Sequence, residues 1–414
     1  MTRDHSMIGA GFLAGALAVC GCSSEPSQMG DVSGSVAKAD AGSAASASRI
    51  PDDVLLSHGL ESVWFDAPRA EDNGVHLAEL QGNGLFLSSL AKGKTTGYLR
   101  LVERGNGHTA WYFDIESPLK NPPSIFTYTG TTSSAMNEVY FSQLDTVYCV
   151  DLRFGDLLWK QQVDFPIATR VVADDERFYV GSDNRRVFGL RKKSKVEDWT
   201  YLTGDAVRTA PLIQPPNLYV GSTDGSVYKF AGPTGWLAGT SWRFKTGARI
   251  VADPVAASRW VLVASTDYKL YCLETSDGGL YWSFPAEAPI EEAPVVLSHR
   301  TNQDFVYCVT VDRTGGGETR TLFCVKLQNG TEVWRARGIR RVVGIGKNQV
   351  YAISDSKTRA ERSLVAIDFT NGKEKFRIPI PGYDFVPTNN SARDRGRIYL
   401  VAEDGTIQVI GERL

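Results

Sequence analysis

The sequence predicts an all-β fold: an eight-bladed β-propeller of four-stranded blades, closed by pairing of its N- and C-terminal segments, with seven blades as the alternative. Three observations support this fold class: an aromatic residue that recurs at a steady spacing, a β-hairpin pattern before it, and an outer strand that the last repeat lacks and the N-terminus supplies. The recurring residues are Trp64, Trp111, Trp159, Trp199, Trp242, Trp282, Trp334 and Phe376. Their spacings of 40 to 52 residues match one propeller blade.

Residues 1–22 have the features of a bacterial lipoprotein signal peptide. The apolar run 7–20 has the length of a signal-peptide core and is too short to span a bilayer. It ends in "VCGCSS", which resembles a lipobox, so Cys22 after Gly21 is the predicted site of lipid attachment. An ordinary cleaved signal peptide is the alternative. By the same resemblance, Ser23 favours sorting to the outer membrane in a bacterium with two membranes.

Residues 23–50 predict a flexible tether. They are rich in Ser, Ala and Gly and have almost no large apolar side chains. Such a segment does not bury enough apolar surface to offset its chain entropy. Its mean reach as a flexible coil is about 30 Å. The propeller domain is predicted to follow at 51–414.

An eleven-residue pattern accompanies the recurring aromatic residue. In "CVDLRFGDLLW" a small residue, an acid, a glycine and the tryptophan stand at Cys149, Asp151, Gly155 and Trp159. Related versions end at six of the other aromatic residues, from "LVERGNGHTAW" to "AIDFTNGKEKF", and two of these versions are degraded. Seven matches at blade spacing indicate a structural repeat rather than an isolated cofactor pocket.

The segments before each pattern predict the other strands of the blade. Two β-rich runs flank a polar turn in "NLYVGSTDGSVYKF" and "RIYLVAEDGTIQVI", which is typical of a β-hairpin. Short segments such as "TAPLI" and "VADPV" predict the innermost strands. The last repeat ends without an outer strand, and "LESVWFDAP" around Trp64 supplies one. A ring closed in this way has no free sheet edge between its first and last repeats.

These segments resemble the PQQ-type repeat, whose family pattern is Ala-x-Asp-x-x-x-Gly-x-x-x-Trp, over nearly the whole mature chain. The resemblance implies that each tryptophan docks on the glycine-containing turn of a neighbouring blade. The recurring aromatic residues named above take this role, with Phe376 as a substitute for tryptophan. A large aromatic side chain buries about 150–250 Å², which is consistent with a seam between blades.

Two branches of this family differ in function. Quinoprotein dehydrogenases hold the cofactor PQQ with calcium above the propeller, are longer chains, and commonly carry two adjacent cysteines. BamB-like lipoproteins have eight blades, a lipid anchor and no cofactor, and act as scaffolds in outer-membrane β-barrel assembly. This chain has no adjacent cysteine pair, and its length and lipobox favour the second branch. That branch implies envelope proteins as partners, the β-barrel assembly machinery among them, and membrane contact through the lipid anchor only.

Composition and motifs give no sign of chemistry. The net charge is -2, whereas nucleic-acid binders are usually strongly basic. The five histidines show no metal-ligand spacing, and the sequence has no nucleophile elbow or calcium loop. We therefore predict no catalytic residue, no metal, no cofactor and no nucleic-acid partner. Carboxylates that a propeller gathers from distant blades onto one face would escape this test.

The mature domain has four cysteines, of which Cys149, Cys272 and Cys324 share one repeat position and are predicted to be small buried residues in different blades. Cys308 is predicted to lie opposite Cys324 across one hairpin, with the blade containing "YVGSTDGSVYKF" as the template. Two alternatives stay open for this pair. Export permits a disulfide, whereas cross-strand geometry opposes one.

One basic stretch is a candidate docking patch. The segment 184–195 contains Arg185, Arg186, Arg191, Lys192, Lys193 and Lys195. Clustered charge of one sign steers association with an acidic partner or an anionic envelope polymer. A solvated rim of the propeller is the alternative.

Three functions from different classes follow as hypotheses. The prediction is a non-enzymatic cell-envelope scaffold for protein–protein interactions, in the periplasm at the outer membrane. The alternatives are a PQQ-dependent oxidoreductase and a propeller that binds a glycan or another ligand as a sensor.

Overall fold

The computed structural model describes residues 49–67, 74–90, 94, 96–128, 137–231, 240–299, 303–356, 358–391 and 394–413. The predicted signal peptide with Cys22 and nearly all of the predicted tether lie outside these residues. The strands of the described residues form eight four-stranded antiparallel sheets. This arrangement confirms the predicted eight-bladed propeller.

Blades 1 to 4 follow one another along the chain, each from its innermost to its outermost strand. Blade 1 contains β2 (Val75–Gln81), β3 (Gly84–Leu90), β4 (Gly97–Glu103) and β5 (Thr109–Ile115). Blade 2 contains β6 (Ser124–Phe126), β7 (Glu138–Gln143), β8 (Thr146–Asp151) and β9 (Leu157–Gln162). Blade 3 contains β10 (Val172–Ala173), β11 (Arg177–Gly181), β12 (Arg186–Arg191) and β13 (Glu197–Leu202). Blade 4 contains β14 (Leu212–Gln214), β15 (Asn217–Gly221), β16 (Ser226–Ala231) and β17 (Trp242–Lys245).

Blades 5 to 8 continue the same order, except that blade 8 takes its outermost strand from the N-terminus. Blade 5 contains β18 (Val255–Ala257), β19 (Trp260–Ser265), β20 (Lys269–Glu274) and β21 (Leu280–Pro285). Blade 6 contains β22 (Val295–Ser298), β23 (Asp304–Asp312), β24 (Thr319–Lys326) and β25 (Glu332–Arg337). Blade 7 contains β26 (Ile339–Ile345), β27 (Gln349–Ser354), β28 (Ser363–Asp368) and β29 (Glu374–Pro379). Blade 8 contains β30 (Tyr383–Phe385), β31 (Arg397–Ala402), β32 (Ile407–Glu412) and β1 (Leu60–Asp66), and helix α1 (Asp52–Ser57) precedes β1.

The two ends of the chain close the ring. Strand β1 pairs antiparallel with β32, with Leu60 opposite Glu412, so the N-terminal strand completes the last blade. A side chain of β32 also holds the residue before the helix: the amide of Ile50 donates to Gln408 Oε1 at 2.8 Å, and Gln408 Nε2 donates to the carbonyl of Ile50 at 3.1 Å. The predicted closure by the terminal segments is therefore confirmed.

Two buried arginines of blade 1 hold the closing blade. Arg100 of β4 is 1% exposed, and its guanidinium lies 2.5 Å from the carboxylate of Asp66 at the end of β1. Arg104 forms an ion pair with Asp394 at 3.1 Å, and its backbone carbonyl accepts the indole N–H of Trp64 at 3.0 Å. Because buried charges are stable only when they are paired, these contacts specify how blade 8 meets blade 1.

Hydrophobic packing follows the seams between blades. The buried apolar side chains of the described residues form eight clusters, each shared by two neighbouring blades. Leu262 of β19 and Val306 of β23, for example, are fully buried between blades 5 and 6. Middle strands meet a neighbour on both faces and are therefore almost continuously apolar, as in "WVLVAS" of β19. Outer strands alternate between buried and exposed residues, as in "TAWYFDI" of β5.

The seam between blades 1 and 2 shows what the repeat pattern does. Gly155, in the turn before β9, has a φ of +75°, in the left-handed region that favours glycine. A Cβ at this position would lie 2.6 Å from Cδ2 of Trp111. The indole N–H of Trp111 donates to the backbone carbonyl of Leu152 in the same turn at 2.8 Å. The ring thus packs directly on the glycine and is oriented by one hydrogen bond.

The same arrangement joins four further pairs of blades. The contacts are Trp64 with Gly107, Trp242 with Gly278, Trp282 with Gly330 and Trp334 with Gly372. Each of these indole N–H groups also donates to a backbone carbonyl of the turn. The same pattern pairs Trp199 of blade 3 with a glycine turn of blade 4. Residues 232–239, where that turn is expected, lie outside the described residues. Phe376 instead meets His58 in the turn before β1, with ring centres 4.7 Å apart.

Replacement of Gly155 by alanine is expected to lower the free energy of unfolding by about 2–4 kcal/mol, because the new Cβ meets the Trp111 ring and strains a left-handed backbone. A urea titration measures the loss. Gly105→Ala is the matched control, since a Cβ there has no neighbouring atom within 4 Å, and it should change stability by less than about 0.5 kcal/mol. Equal losses in the two variants would contradict the packing role of Gly155.

Candidate functional site

The seam between blades 2 and 3 departs from the repeat. The turn before β13 places Lys195 in the left-handed conformation, with a φ of +62°, where other blades have glycine. Its Nζ lies 4.1 Å from the centre of the Trp159 ring and also contacts the backbone carbonyl of Lys192. A cation over an aromatic face is attractive. A cation–π contact therefore replaces the glycine contact at this seam.

A second lysine of the same turn is buried inside blade 2. Lys192 is 8% exposed, and its Nζ lies 2.7 Å from Oε2 of Glu138. The same Nζ lies 3.6 Å, 4.9 Å and 5.4 Å from the ring centres of Phe126, Tyr128 and Tyr140, respectively. We refer to Lys192 and these four residues as the lysine cage. It fixes the turn of blade 3 to strands β6 and β7 of blade 2.

The electrostatics of the lysine cage favour a structural role. Burial lowers the pKa of Lys192, and its hydrogen bond to Glu138 opposes that shift. The Tyr140 hydroxyl donates to the same carboxylate at 2.6 Å, and the pKa of Tyr140 is raised, mainly by burial. Burial also raises the pKa of the nearby Cys149 thiol to about 12. A thiol of that pKa is a poor nucleophile at neutral pH. The lysine cage thus joins two blades through the ion pair of Lys192 and Glu138.

The predicted docking patch needs correction, because its six residues divide between the two ends of blade 3. Arg185 and Arg186 lie at the hairpin between β11 and β12, whereas the other four lie at the opposite end of β12. Lys192 is internal, and Arg191 pairs with Asp198 at 2.7 Å. Strand β12 separates the two groups, so they do not form one exposed surface.

The predicted juxtaposition of Cys308 and Cys324 also needs correction. The register of β23 and β24 places Cys308 opposite Phe323 and Cys324 opposite Tyr307. Successive residues of a strand point to opposite faces, and the two cysteines belong to different seams, between blades 5 and 6 and between blades 6 and 7. Both are buried free thiols. Of the two alternatives for this pair, the disulfide is therefore absent, and both thiols are free.

The innermost strands surround a charged cavity of about 570 Å³. Its charged lining includes Glu79, Arg170, Asp253, Glu291 and Glu292. Arg170 pairs with Glu79 at 3.1 Å. Asp253 accepts the amide N–H of Ala210 at 2.7 Å, and burial raises its pKa while that hydrogen bond and Arg170 oppose the shift. A second cavity of about 450 Å³ shares Arg170 and Asp253 with the first.

Sequence reasoning did not single out this lining, because its residues come from distant blades. The acids do not share one repeat position that could have marked them: Asp253 stands directly before the proline of "VADPV", whereas Glu292 stands two residues before the proline of "EEAPVV". Among the described residues, no three His, Cys, Asp or Glu side chains are grouped so as to hold a metal ion. In that same part of the chain, no helix has the length and apolar character needed to cross a membrane.

A ring of blades tied by a tryptophan on the next blade's glycine turn defines the class of PQQ-like repeat propellers. Comparison with known families places the chain within that class. The family model PQQ_2, described as outer membrane protein assembly factor BamB, matches residues 95–238 and 223–373. The chain belongs to this family.

Individual proteins show how distant its relatives are. The chain is 26% identical over 153 residues to the outer membrane protein assembly factor BamB of Escherichia coli strain K12, a match that covers 34% of this chain and 36% of that protein. It therefore matches only about a third of that curated relative. The crystal structure of BamB from Moraxella catarrhalis has a TM-score of 0.60 at 16% identity and covers 85% of this chain and 99% of that chain.

An enzyme has the same fold. The quinohemoprotein alcohol dehydrogenase ADHIIG from Pseudomonas putida HK5 also has a TM-score of 0.60, at 10% identity, with 86% of this chain and 76% of that chain covered. At these identities both structural likenesses show the fold alone. They do not separate the scaffold from the redox alternative.

Replacement of Lys192 by methionine is expected to lower the free energy of unfolding by about 3–5 kcal/mol, since it leaves the Glu138 carboxylate buried without its cation. The double variant Lys192→Met/Glu138→Gln should recover part of that loss, because the uncompensated charge is gone. Lys193→Met in the same turn is the control, and its exposed side chain should matter by less than about 0.5 kcal/mol. A urea titration that gives Lys192→Met the value of the control would refute the cage as a stabilising contact.

His299 supplies a test by pH. Burial, and next the charge of Arg395, lower its pKa to about 4, and its Nε2 is hydrogen-bonded to the Tyr307 hydroxyl at 2.7 Å. Because the folded-state pKa lies below the unfolded value of about 6.5, its contribution to stability is complete above pH 6.5 and is lost as the pH falls towards 4.

The variant His299→Gln is therefore expected to lose less stability than the parent between pH 7 and pH 4.5, measured as the shift of the thermal unfolding midpoint. His108→Gln, which changes an exposed histidine, should keep the parent's pH dependence. If His299→Gln keeps it as well, His299 is not the titrating group.

Proposed function

We propose that the protein is a non-enzymatic, lipid-anchored scaffold of the cell envelope that binds protein partners during assembly of β-barrel proteins in the outer membrane. The observation that carries the proposal is the family match over residues 95–238 and 223–373. The name of the Escherichia coli relative, outer membrane protein assembly factor, supplies the process.

The packing of the propeller is consistent with a scaffold. The residues that looked most like a cofactor pocket in the sequence, such as those of "CVDLRFGDLLW", are used to hold blades together. Asp151, for example, accepts the backbone N–H groups of Arg153 and Phe154, both at 2.8 Å, and so shapes the turn on which Trp111 packs. We expect partners to be recognised by loops of the ring that take no part in these seam contacts.

The proposed location follows from the signal and tether. Attachment of lipid at Cys22 places the protein in the envelope, and Ser23 favours the outer membrane on its periplasmic side. A tether of residues 23–50 would let the propeller reach partners about 30 Å from its anchor. The variant Cys22→Ala should release the protein from the membrane fraction into the soluble periplasm, as immunoblotting of separated fractions would show.

Chemical crosslinking of intact envelopes tests the proposed role. We expect a subunit of the β-barrel assembly machinery of the same bacterium to be crosslinked to the protein, and deletion of the gene to lower the amount of folded β-barrel proteins in the outer membrane. A matched exported protein of unrelated fold serves as the crosslinking control. The absence of any assembly subunit, with normal β-barrel levels in the deletion strain, would refute this role.

The purified protein addresses the redox alternative directly. If the non-enzymatic part of the proposal is correct, incubation with PQQ and Ca²⁺ gives no bound-cofactor absorbance and no alcohol-dependent reduction of a dye. A stoichiometric cofactor spectrum with dye reduction would instead identify a quinoprotein-like oxidoreductase.

A further inference from the structure

The two cavities beside the inner strands share a wall built from one position of three neighbouring blades. Arg170, Ala210 and Asp253 each stand two residues before the inner strand of their blade, in blades 3, 4 and 5. All three line the cavity of about 450 Å³, and Arg170 and Asp253 also line the cavity of about 570 Å³. Because the middle blade has only alanine at this position, a cation and a carboxylate from its two neighbours face the same space.

Three of the acids that line the larger cavity have a cation of their own. The pairs are Glu79 with Arg170 at 3.1 Å, Glu291 with Arg313 at 2.7 Å and Glu292 with Arg320 at 2.6 Å. The charges of these carboxylates are thus compensated within the propeller. They do not need a ligand to balance them.

Asp253 has no such partner. Its Oδ1 accepts the amide N–H of Ala210 at 2.7 Å, but no lysine or arginine in the described part of the chain lies within ion-pair distance of its carboxylate. Arg170 is near enough to favour the charged form of Asp253, yet its own charge is balanced by Glu79. A carboxylate that is removed from water without a cation is costly. Its second oxygen can accept a hydrogen bond from a donor in the cavity.

A second unpaired acid lies at the other end of the smaller cavity. Asp175, in the turn between β10 and β11, is exposed, lines this cavity and forms no ion pair with any residue that the structure describes. Its neighbour Asp174 is used internally, since it accepts the amide N–H of Arg177 and the hydroxyl of Tyr179, both at 2.7 Å. The turn after an inner strand and the linker before it leave the strand at opposite ends. The cavity therefore has one unpaired carboxylate towards each end.

The wall between these two ends is largely apolar. It includes Ile125 and Phe126 of β6 and Leu212 and Ile213 of β14. An extended segment of five residues, such as the one that separates positions 170 and 175, rises about 16 Å, so only an elongated ligand reaches both ends. Small-molecule sites typically combine an apolar wall with a few polar groups that fix orientation. This lining matches a ligand with positively charged ends and a hydrocarbon middle.

Other classes of ligand fit the lining less well. A calcium ion takes about six to eight oxygen ligands, whereas Asp253 and Asp175 lie towards opposite ends of the cavity, and the described residues contain no group of three metal-ligating side chains. An anion such as PQQ, which is a tricarboxylate, would be repelled by these two acids. Arg170, the one basic residue in the described lining of the smaller cavity, is already paired with Glu79.

We propose that the cavity along the inner strands of blades 2 to 5 binds an aliphatic polyamine. One ammonium group of the ligand donates to Asp253, its hydrocarbon chain lies along Ile125 and Leu212, and a second ammonium group pairs with Asp175. Charge complementarity and apolar contact then act at the same site. The site uses none of the protein–protein contacts of the proposed scaffold, so either proposal can fail without the other.

Isothermal titration calorimetry of the purified full-length protein with spermidine tests the site. At neutral pH and low salt, where charge pairing is least screened, we expect one spermidine to bind per chain. Asp253→Asn keeps an acceptor for the amide of Ala210 but removes the charge, and it should weaken binding about tenfold or more. The control Asp114→Asn removes the same charge from an exposed position of outer strand β5. It should change the affinity by less than about twofold.

Two further measurements test the roles of the individual acids. Asp175→Asn should weaken spermidine binding about threefold, and it should leave the affinity for butylamine unchanged, because a monoamine pairs with Asp253 alone. Asp253→Asn should leave the thermal unfolding midpoint unchanged or raised, since it removes a buried charge that has no cation. An Asp253 with only a structural role would instead lower the midpoint on replacement and leave spermidine binding as in the parent.

Three results would overturn the polyamine site. The absence of any heat of binding to the folded parent would refute it directly. Equal spermidine affinities in Asp253→Asn and Asp114→Asn would show that the amine binds elsewhere through general charge. Displacement of spermidine by an equal concentration of Mg²⁺ or Ca²⁺ would identify a site for inorganic cations instead. None of these results bears on crosslinking to the assembly machinery, which tests the scaffold separately.

Discussion

Pairing of the first strand with the last is the interaction on which the rest of the propeller depends. Every blade of the closed ring buries both faces against neighbours, so without closure blades 1 and 8 would each leave one face exposed. The closing contacts join residues that are far apart in the chain, since Ile50 and Gln408 are separated by 358 positions. The entropy of ordering so long a loop must be offset by what closure buries. Closure completes the cluster of blades 7 and 8, which includes Leu55 of α1, and that of blades 8 and 1, and it pairs the buried Arg100 with Asp66.

The remaining seams show that the repeat specifies a geometry more strictly than a residue type. A seam needs a left-handed residue in one turn and an aromatic ring from the preceding blade. Gly155 with Trp111 and Lys195 with Trp159 both meet that requirement. Lys195 adds a charge that must be desolvated beside the Trp159 ring. Lys192, in the same turn, is paired with the carboxylate of Glu138. The seam that looks degraded in the sequence is therefore held by a cation–π contact and a buried ion pair.

The difference between the geometry of a seam and the residue type that supplies it explains what the sequence could predict. The spacing of the aromatic residues reports the number of blades, and the outer strand around Trp64 reports closure, because both depend only on the order of elements along the chain. Positions across a hairpin depend on its turn. The turn between β23 and β24 is longer than the turn of blade 4 used as template and contains a 3-10 turn at Thr314–Gly316, and a shift of one residue moved Cys308 to the face opposite Cys324. The basic stretch was misread for a related reason: charge counted along the chain does not reveal that β12 carries Arg185 and Lys192 to opposite ends of the blade.

The two faces of the ring are consequently under different constraints. Each glycine turn lies beneath an aromatic residue of the preceding blade, so a change in that turn disturbs a seam. The hairpins between the second and third strands of blades 3 and 5 lie at the other end of the sheets from these turns. Their tips carry large exposed side chains, Arg185 and Tyr268, where glycine would suit the backbone better. A ring with well-packed seams can tolerate such local strain, because it is small against the contacts that hold the blades. The face with the glycine turns therefore maintains the seams, whereas residues at the hairpin tips of the other face can differ between family members without loss of the fold.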